Sequence, residues 1–209
     1  MESCKGKFIV FEGTDGSGKS TQMRLLGNYL REQGVDCVLT REPTDSAFGA
    51  LIRDCLKCRI ETDEKAIAAL FAADRLDHIL SPVNGIKKLL DEGKTVLCDR
   101  YYLSSFAYNG GFAPLDWVIE LNRQAMAELR PDIVIYIDLT PEEAMSRVAR
   151  RSETERYESL EKQAKIRDKY FEVFERFKDR ENIVIIKSEQ ALEKTQAHIR
   201  AQVLPLLKR

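Results

Sequence analysis

Five short apolar runs punctuate the chain: Phe8-Ile-Val-Phe11, Val35 to Thr40, Val96-Leu97-Cys98, Ile133 to Ile137 and Ile183 to Ile186. Runs of this length predict strands buried on both faces. Between them, apolar residues recur every three or four positions, the period of a helix with one buried side. Met23, Leu26 and Leu30 predict a helix from Lys19 to Gln33, with Gly34 suited to cap its end. Glu64 to Leu90 predicts a long helix broken at Pro82, and Asp116 to Leu129 predicts another. Pro141 to Arg150 opens on a proline, which fits the first turn of a helix. Leu160 to Phe177 carries Leu160, Ala164, Phe171, Phe174 and Phe177 on a broadly common face, and a last helix is predicted from Leu192 to Leu207. Strands alternating with helices require crossover connections, hence a parallel sheet with helices on both sides: a three-layer α/β sandwich. No internal repeat, low-complexity tract or linker divides the sequence, so residues 1–209 are expected to form one domain.

Composition narrows the class of partner. The 209 residues include 33 Lys and Arg against 34 Asp and Glu, a formal charge of −1, which argues against a general nucleic-acid binder. No apolar run approaches the roughly 18 residues of a membrane span. Met1 to Lys7 lacks the apolar core of a signal peptide, so a cytoplasmic, reducing location is expected. Cysteines at 4, 37, 55, 58 and 98 are odd in number and scattered, which does not suggest a disulfide framework. Cys55 and Cys58 form one CxxC with no second pair to complete a zinc site; free thiols on a helix are expected.

The most specific chemistry lies in Gly13-Thr14-Asp15-Gly16-Ser17-Gly18-Lys19-Ser20, a complete GxxxxGK[ST] between a predicted strand and a predicted helix, with Thr21 following. Its glycines permit a tight loop whose N–H groups turn inward on phosphate oxygens, and the helix opening at Lys19 adds its positive end. Lys19 would reach the terminal phosphates, and the Ser20 hydroxyl would ligate Mg²⁺. Asp99, ending the third strand, is the natural acidic partner for that ion.

Such a loop implies a nucleoside triphosphate but leaves the reaction open between a small-molecule kinase, a GTPase switch and an ATP-driven motor. The NKxD base-reading motif of a GTPase does not occur, and one compact domain leaves little room for motor modules. A kinase for a phosphorylated acceptor must gather negative charge around one transferring group, and arginines near strand ends suit that task. Arg41, Arg75, Arg100, Arg147, Arg150, Arg151 and Arg156 are available.

Phe11 to Thr21, Thr40-Arg-Glu-Pro43, Leu70-Phe-Ala-Ala-Asp-Arg75, Asp99-Arg-Tyr101 and Ser104-Ser-Phe-Ala-Tyr108 together resemble the thymidylate kinase family, in order and spacing, from about residue 8 to 160. The resemblance implies that Asp15 meets the acceptor sugar's 3′-hydroxyl, Phe71 stacks on thymine and Arg75 reads the base. Arg100 would clamp the acceptor phosphate, with Arg41 a neighbour. Ser104 and Ser105 would contact the base, and Tyr108 would crowd the sugar's 2′ position. A flat ring plus an arginine also suits a neutral pyrimidine on chemical grounds alone.

Some family members carry a basic residue inside the phosphate loop, whereas others place arginines in a lid. Thr14, Asp15, Gly16 and Ser17 include no base, so the segment at about 147–158 reads as an arginine-bearing lid, with Arg151 and Arg156 the leading catalytic candidates. Two departures stand out: Asn109 where many relatives have Gln, and the acidic Glu153, Glu155 and Glu158 in the lid. The implied fold is the nucleoside-monophosphate kinase version of the P-loop NTPase sandwich, with a five-stranded parallel sheet. The implied reaction is transfer from ATP, with Mg²⁺, to thymidine 5′-monophosphate (dTMP) by a homodimer, with no nucleic-acid or membrane partner. The apolar stretches Leu51 to Leu56 and Ile67 to Leu80 could supply the dimer interface or belong to the core. A kinase for another nucleotide or nucleoside, and a nucleotide-binding scaffold, remain the alternatives.

Overall fold

The computed structural model describes residues 6–148, 156–157, 159–189 and 191–207. Five strands, β1 (Phe8–Glu12), β2 (Cys37–Arg41), β3 (Thr95–Asp99), β4 (Ile133–Asp138) and β5 (Ile183–Lys187), form one sheet in the order β2-β3-β1-β4-β5. Every pairing is parallel. The chain runs from β1 out to β2, returns to β3, and then crosses to the other side of β1. The carboxyl ends of β1 and β3 therefore border the crevice where connections diverge, the usual ligand position in open α/β sheets. Phe11 pairs with Asp99 there, which sets the acid beside the loop that leaves β1.

Side chains alternate between the two faces of the sheet, and each face carries its own core. Ile9, Phe11, Leu97, Ile135 and Ile137 pack with Leu26 and Leu30 of α1 (Lys19–Glu32) and with Ile199 and Val203 of α10 (Leu192–Leu207). Phe8, Val10, Cys98 and Tyr136 pack on the opposite side. Their cover comes from α2 (Ala47–Leu56), α3 (Glu64–Leu80), α4 (Ile86–Asp91), α5 (Tyr102–Tyr108) and α9 (Leu160–Phe177).

The predicted break at Pro82 divides Glu64 to Leu90 into α3 and α4, because Pro82 biases Ser81 out of helical backbone (ψ 126) and Gly85 caps the next start. Other predicted boundaries differ for identifiable reasons. Asp116 to Leu129 is likewise α6 (Leu115–Leu121) and α7 (Arg123–Glu128), separated at the buried Asn122. The buried stripe of α9 is Gln163, Ile166, Tyr170, Val173, Phe174 and Phe177, so the predicted face was rotated; Leu160 is exposed. α5 lacks any exposed face, all seven residues being buried, and so gave no periodic signal. Of the CxxC pair, Cys55 is buried in α2 whereas Cys58 lies beyond the helix, exposed, at φ 55. The described cysteines are free thiols. Among the described residues no helix is long and apolar enough to cross a membrane.

Candidate active site

The loop between β1 and α1 holds its shape through left-handed backbone. Gly16 (φ 80) and Gly18 (φ 97) take conformations that side chains rarely adopt. Gly13 (φ 146) also lacks space, since a Cβ would meet the Ile137 carbonyl and Ser17 Oγ at 2.7 Å. Lys19 is buried and its Nζ donates to the Thr14 carbonyl at 2.8 Å, curling back over the loop. Burial and the neighbouring Arg100 lower its pKa to about 8, against the opposing pull of Asp99, Asp15 and Glu12. The hydroxyls of Thr14 and Ser17 are buried without a partner.

Ser20 Oγ lies 2.5 Å from Asp99 Oδ2, while Asp99 Oδ1 is buried and unpartnered. A hydroxyl and a carboxylate with a spare oxygen at the foot of a phosphate loop form a hard-oxygen donor set that fits a Mg²⁺ retaining several waters.

Arg100 follows at φ 72, a strained position for a side-chain residue and one often found at functional sites. Its N–H donates to the Phe11 carbonyl at 2.9 Å. Its guanidinium donates to the Gly13 carbonyl (3.2 Å), Ser104 Oγ (3.1 Å), Asp15 Oδ1 (2.5 Å) and the Tyr108 hydroxyl (3.0 Å). Burial pushes the Asp15 carboxyl up, but Arg100, Lys19, Tyr108 and Gln163 outweigh it and hold the group below the usual range.

Two cavities meet at this arginine. The first is walled by Phe71, Arg75, Ser104, Ser105, Tyr108, Asn109 and Tyr157. The second is lined by Gly16, Gly18, Lys19, Ser20, Thr21, Arg41, Asp99 and Arg147. Asp15, Glu42 and Arg100 belong to both. In the first cavity Arg75 is almost wholly buried and paired with Glu42 (Nη2 to Oε2 2.6 Å). It also donates to Ser105 Oγ at 3.1 Å and to the side-chain Oδ1 of Asn122. Ser104 is spoken for: it donates to Glu12 at 2.5 Å and lies 2.8 Å from the Tyr170 hydroxyl.

The structure thus brings together nearly all the residues singled out from the sequence. Arg41 borders the phosphate side but is exposed and paired with Asp45 at 2.8 Å. Arg151 lies outside the described residues. Arg156 is described, and its Nε donates to Glu64 Oε1 at 2.7 Å; it lines neither cavity, though the neighbouring Tyr157 walls the first. Residues given no particular role from the sequence also belong here. Glu12 and Gln163 carry their own signal, a polar residue inside an otherwise apolar strand or helix stripe. Arg147 was visible only as one of a cluster, yet it lies 3.7 Å from where a Gly18 Cβ would be. Asn109 is buried with both amide atoms unpartnered. Asn122 and Tyr157 had no local signal, because tertiary packing alone brings them in.

A parallel sheet, a phosphate loop with a hydrogen-bonded serine and aspartate at its foot, and an arginine bridging to a ring-lined cavity define a P-loop phosphotransferase. A sequence profile of the thymidylate kinase family matches residues 11–199. The chain is 45% identical over 182 residues to a protein of Thermococcus onnurineus named probable thymidylate kinase, covering 81% of this chain and 85% of that one. It is 38% identical over 168 residues to the thymidylate kinase of Desulfotalea psychrophila (79% and 81% covered). It is 35% identical over 209 residues to that of a Geobacillus species (96% and 97% covered). The chain belongs to the thymidylate kinase family.

Proposed function

We propose that this chain transfers the γ-phosphoryl group of ATP to dTMP, giving thymidine 5′-diphosphate and ADP, as a step toward dTTP. The observation that carries this reading is Arg100, which lines both cavities and is tied to the loop through Gly13 and Asp15. A cation so placed holds the acceptor phosphate against the donor, and phosphoryl transfer depends chiefly on such positioning. The acceptor's phosphate oxygen attacks the γ-phosphorus while the β–γ bridging bond breaks, its electrons leaving with ADP. That oxygen is already ionised at neutral pH, so no side chain need act as a strong base.

Lys19 and the loop N–H groups hold the donor phosphates. Ser20 and Asp99 hold Mg²⁺, which when bound neutralises charge on the donor phosphates. Phe71 supplies the ring for stacking, and Arg75, fixed by Glu42, supplies donors for a base carbonyl. The unpartnered donor and acceptor of Asn109 match the N–H and one of the two carbonyls on the imide edge of thymine. Tyr108 and Asp15 face the sugar. Arg147 supports the donor side, and Arg151 stays a candidate for the lid. For Arg156, the pairing with Glu64 favours a role in closing the acceptor side. Free thiols suit a reducing compartment, and we assign the cytoplasm. Exposed Phe48 and Leu51 on α2, with Leu80 on the adjoining α3, support a homodimer.

A coupled assay of ADP release across nucleoside monophosphates tests the reaction. Turnover should peak on dTMP and stop when EDTA removes Mg²⁺. A different preferred acceptor, or no acceptor-dependent turnover, overturns the reading.

A further inference from the structure

Gln163 stands in the first turn of α9, with no exposed surface, although every other residue of its buried stripe is hydrophobic. Its amide is directed at one loop residue twice. The Asp15 N–H donates to Oε1 at 3.1 Å, and Nε2 donates to Asp15 Oδ2 at 3.1 Å. The remaining Nε2 hydrogen goes to the Tyr157 carbonyl at 3.0 Å. Tyr157 in turn packs edge-on against Tyr108 and donates its hydroxyl to Glu64 Oε2 at 2.6 Å. One side chain therefore grips the main chain and the carboxylate of Asp15 and ties both to the wall of the acceptor cavity.

The far side of Asp15 explains why such a grip matters. Its carboxylate takes Arg100 and Tyr108, so any rotation of Asp15 carries the guanidinium with it. An amide provides an acceptor and donors on neighbouring atoms, as these contacts require. An ionised Glu offers no donor and sets a second negative charge against Asp15, whereas Met fills the volume with neither function.

We propose that Gln163 is a positioning residue for phosphoryl transfer: through Asp15 it fixes Arg100 in register between donor and acceptor. This rests on the dTMP kinase reading above. Displacement of a reacting group by about 1 Å costs on the order of 100-fold in rate, whereas ground-state binding is less sensitive to it.

The test is a double-mutant cycle of Gln163→Met with Asp15→Ala in the full chain, with Gln163→Glu as a second probe should the Met variant unfold. In the otherwise unchanged chain, either Gln163 variant should lower kcat roughly 10- to 100-fold. KM for dTMP and for ATP should stay within about threefold, with the melting midpoint preserved. In the Asp15→Ala background the same change should lower kcat by less than about threefold, since neighbours acting as a unit are non-additive. Equal fold-losses in both backgrounds, or an unchanged kcat, overturn the proposal. If the unmodified chain does not phosphorylate dTMP, the functional reading itself falls, and this inference with it.

Discussion

Arg100 combines a left-handed backbone with four side-chain hydrogen bonds, so its strain, of order 1–3 kcal/mol, is held by the surrounding structure. What that arrangement secures is a guanidinium fixed before substrate arrives. Truncating one partner of a desolvated charge pair costs about 2–5 kcal/mol. Arg100→Ala should therefore lower kcat/KM for dTMP by about two to four orders of magnitude, with an unchanged far-ultraviolet circular dichroism spectrum. Arg100→Lys should fall between, because a point charge cannot span Gly13, Ser104 and Asp15 at once. Phe71 makes a different kind of contribution, since its half-buried ring packs on the core with one side and walls the acceptor cavity with the other. Losing it should remove about 2 kcal/mol of apolar contact, roughly a 30-fold rise in the Kd for dTMP. ATP binding should be unaffected in isothermal titration; equal weakening of both ligands would count against stacking.

At the scale of elements, the turn from β1 into α1 decides the donor site, and its first glycine is the most constrained. Gly13→Ala combines a disfavoured φ with contact against the Ile137 carbonyl, a backbone atom that cannot swing away. Gly34→Ala is the natural control: φ is +80, but nothing lies within 4 Å. Its expected cost is the conformational one alone, about 1–2 kcal/mol, or roughly 2–8 °C in melting temperature, with KM for ATP unchanged. Gly13→Ala should lower the midpoint further and raise KM for ATP at least tenfold. Elements of this kind were the readable part of the sequence. All five strands were visible because each is a short apolar run, and the phosphate loop because its geometry demands glycine and lysine at fixed spacing. α5 escaped because burial on every side erases the helical period. The face of α9 was misjudged because Gln163, a polar residue, belongs to the buried stripe, while the apolar Leu160 does not. Asn122 closes the hydrogen bonds of Arg75 from a helix break 47 residues away, and no local pattern could announce that.

Across the whole molecule, the net charge of −1 says nothing of where charge gathers. Lys19, Arg41, Arg100 and Arg147 line one cavity together with Asp15, Glu42, Asp99 and Glu189, and on the proposed reading those four cations face the phosphates of donor and acceptor. Many of the acids instead lie on exposed helix surfaces, often paired with a lysine one turn away, as Glu161 is with Lys165. One surface does not follow this polar rule. α2 buries Ile52, Cys55 and Leu56 inward and yet shows Phe48 and Leu51, one turn apart, outward, 44% and 39% exposed, and Leu80 at the end of the adjoining α3 is exposed as well. Apolar side chains clustered in this way mark an interaction surface more often than isolated ones do. A symmetric pairing would bury the same patch of both copies at once. Sedimentation equilibrium at micromolar concentration should therefore give twice the chain mass for the unmodified protein. Phe48→Glu combined with Leu51→Lys should give the single-chain mass, because charges on that patch would be desolvated on pairing. The same variant should raise KM for dTMP more than KM for ATP, since Leu56 at the end of α2 lines the acceptor cavity and not the phosphate side. An unmodified chain that sediments as a monomer would remove the pairing, and with it the link between assembly and acceptor binding.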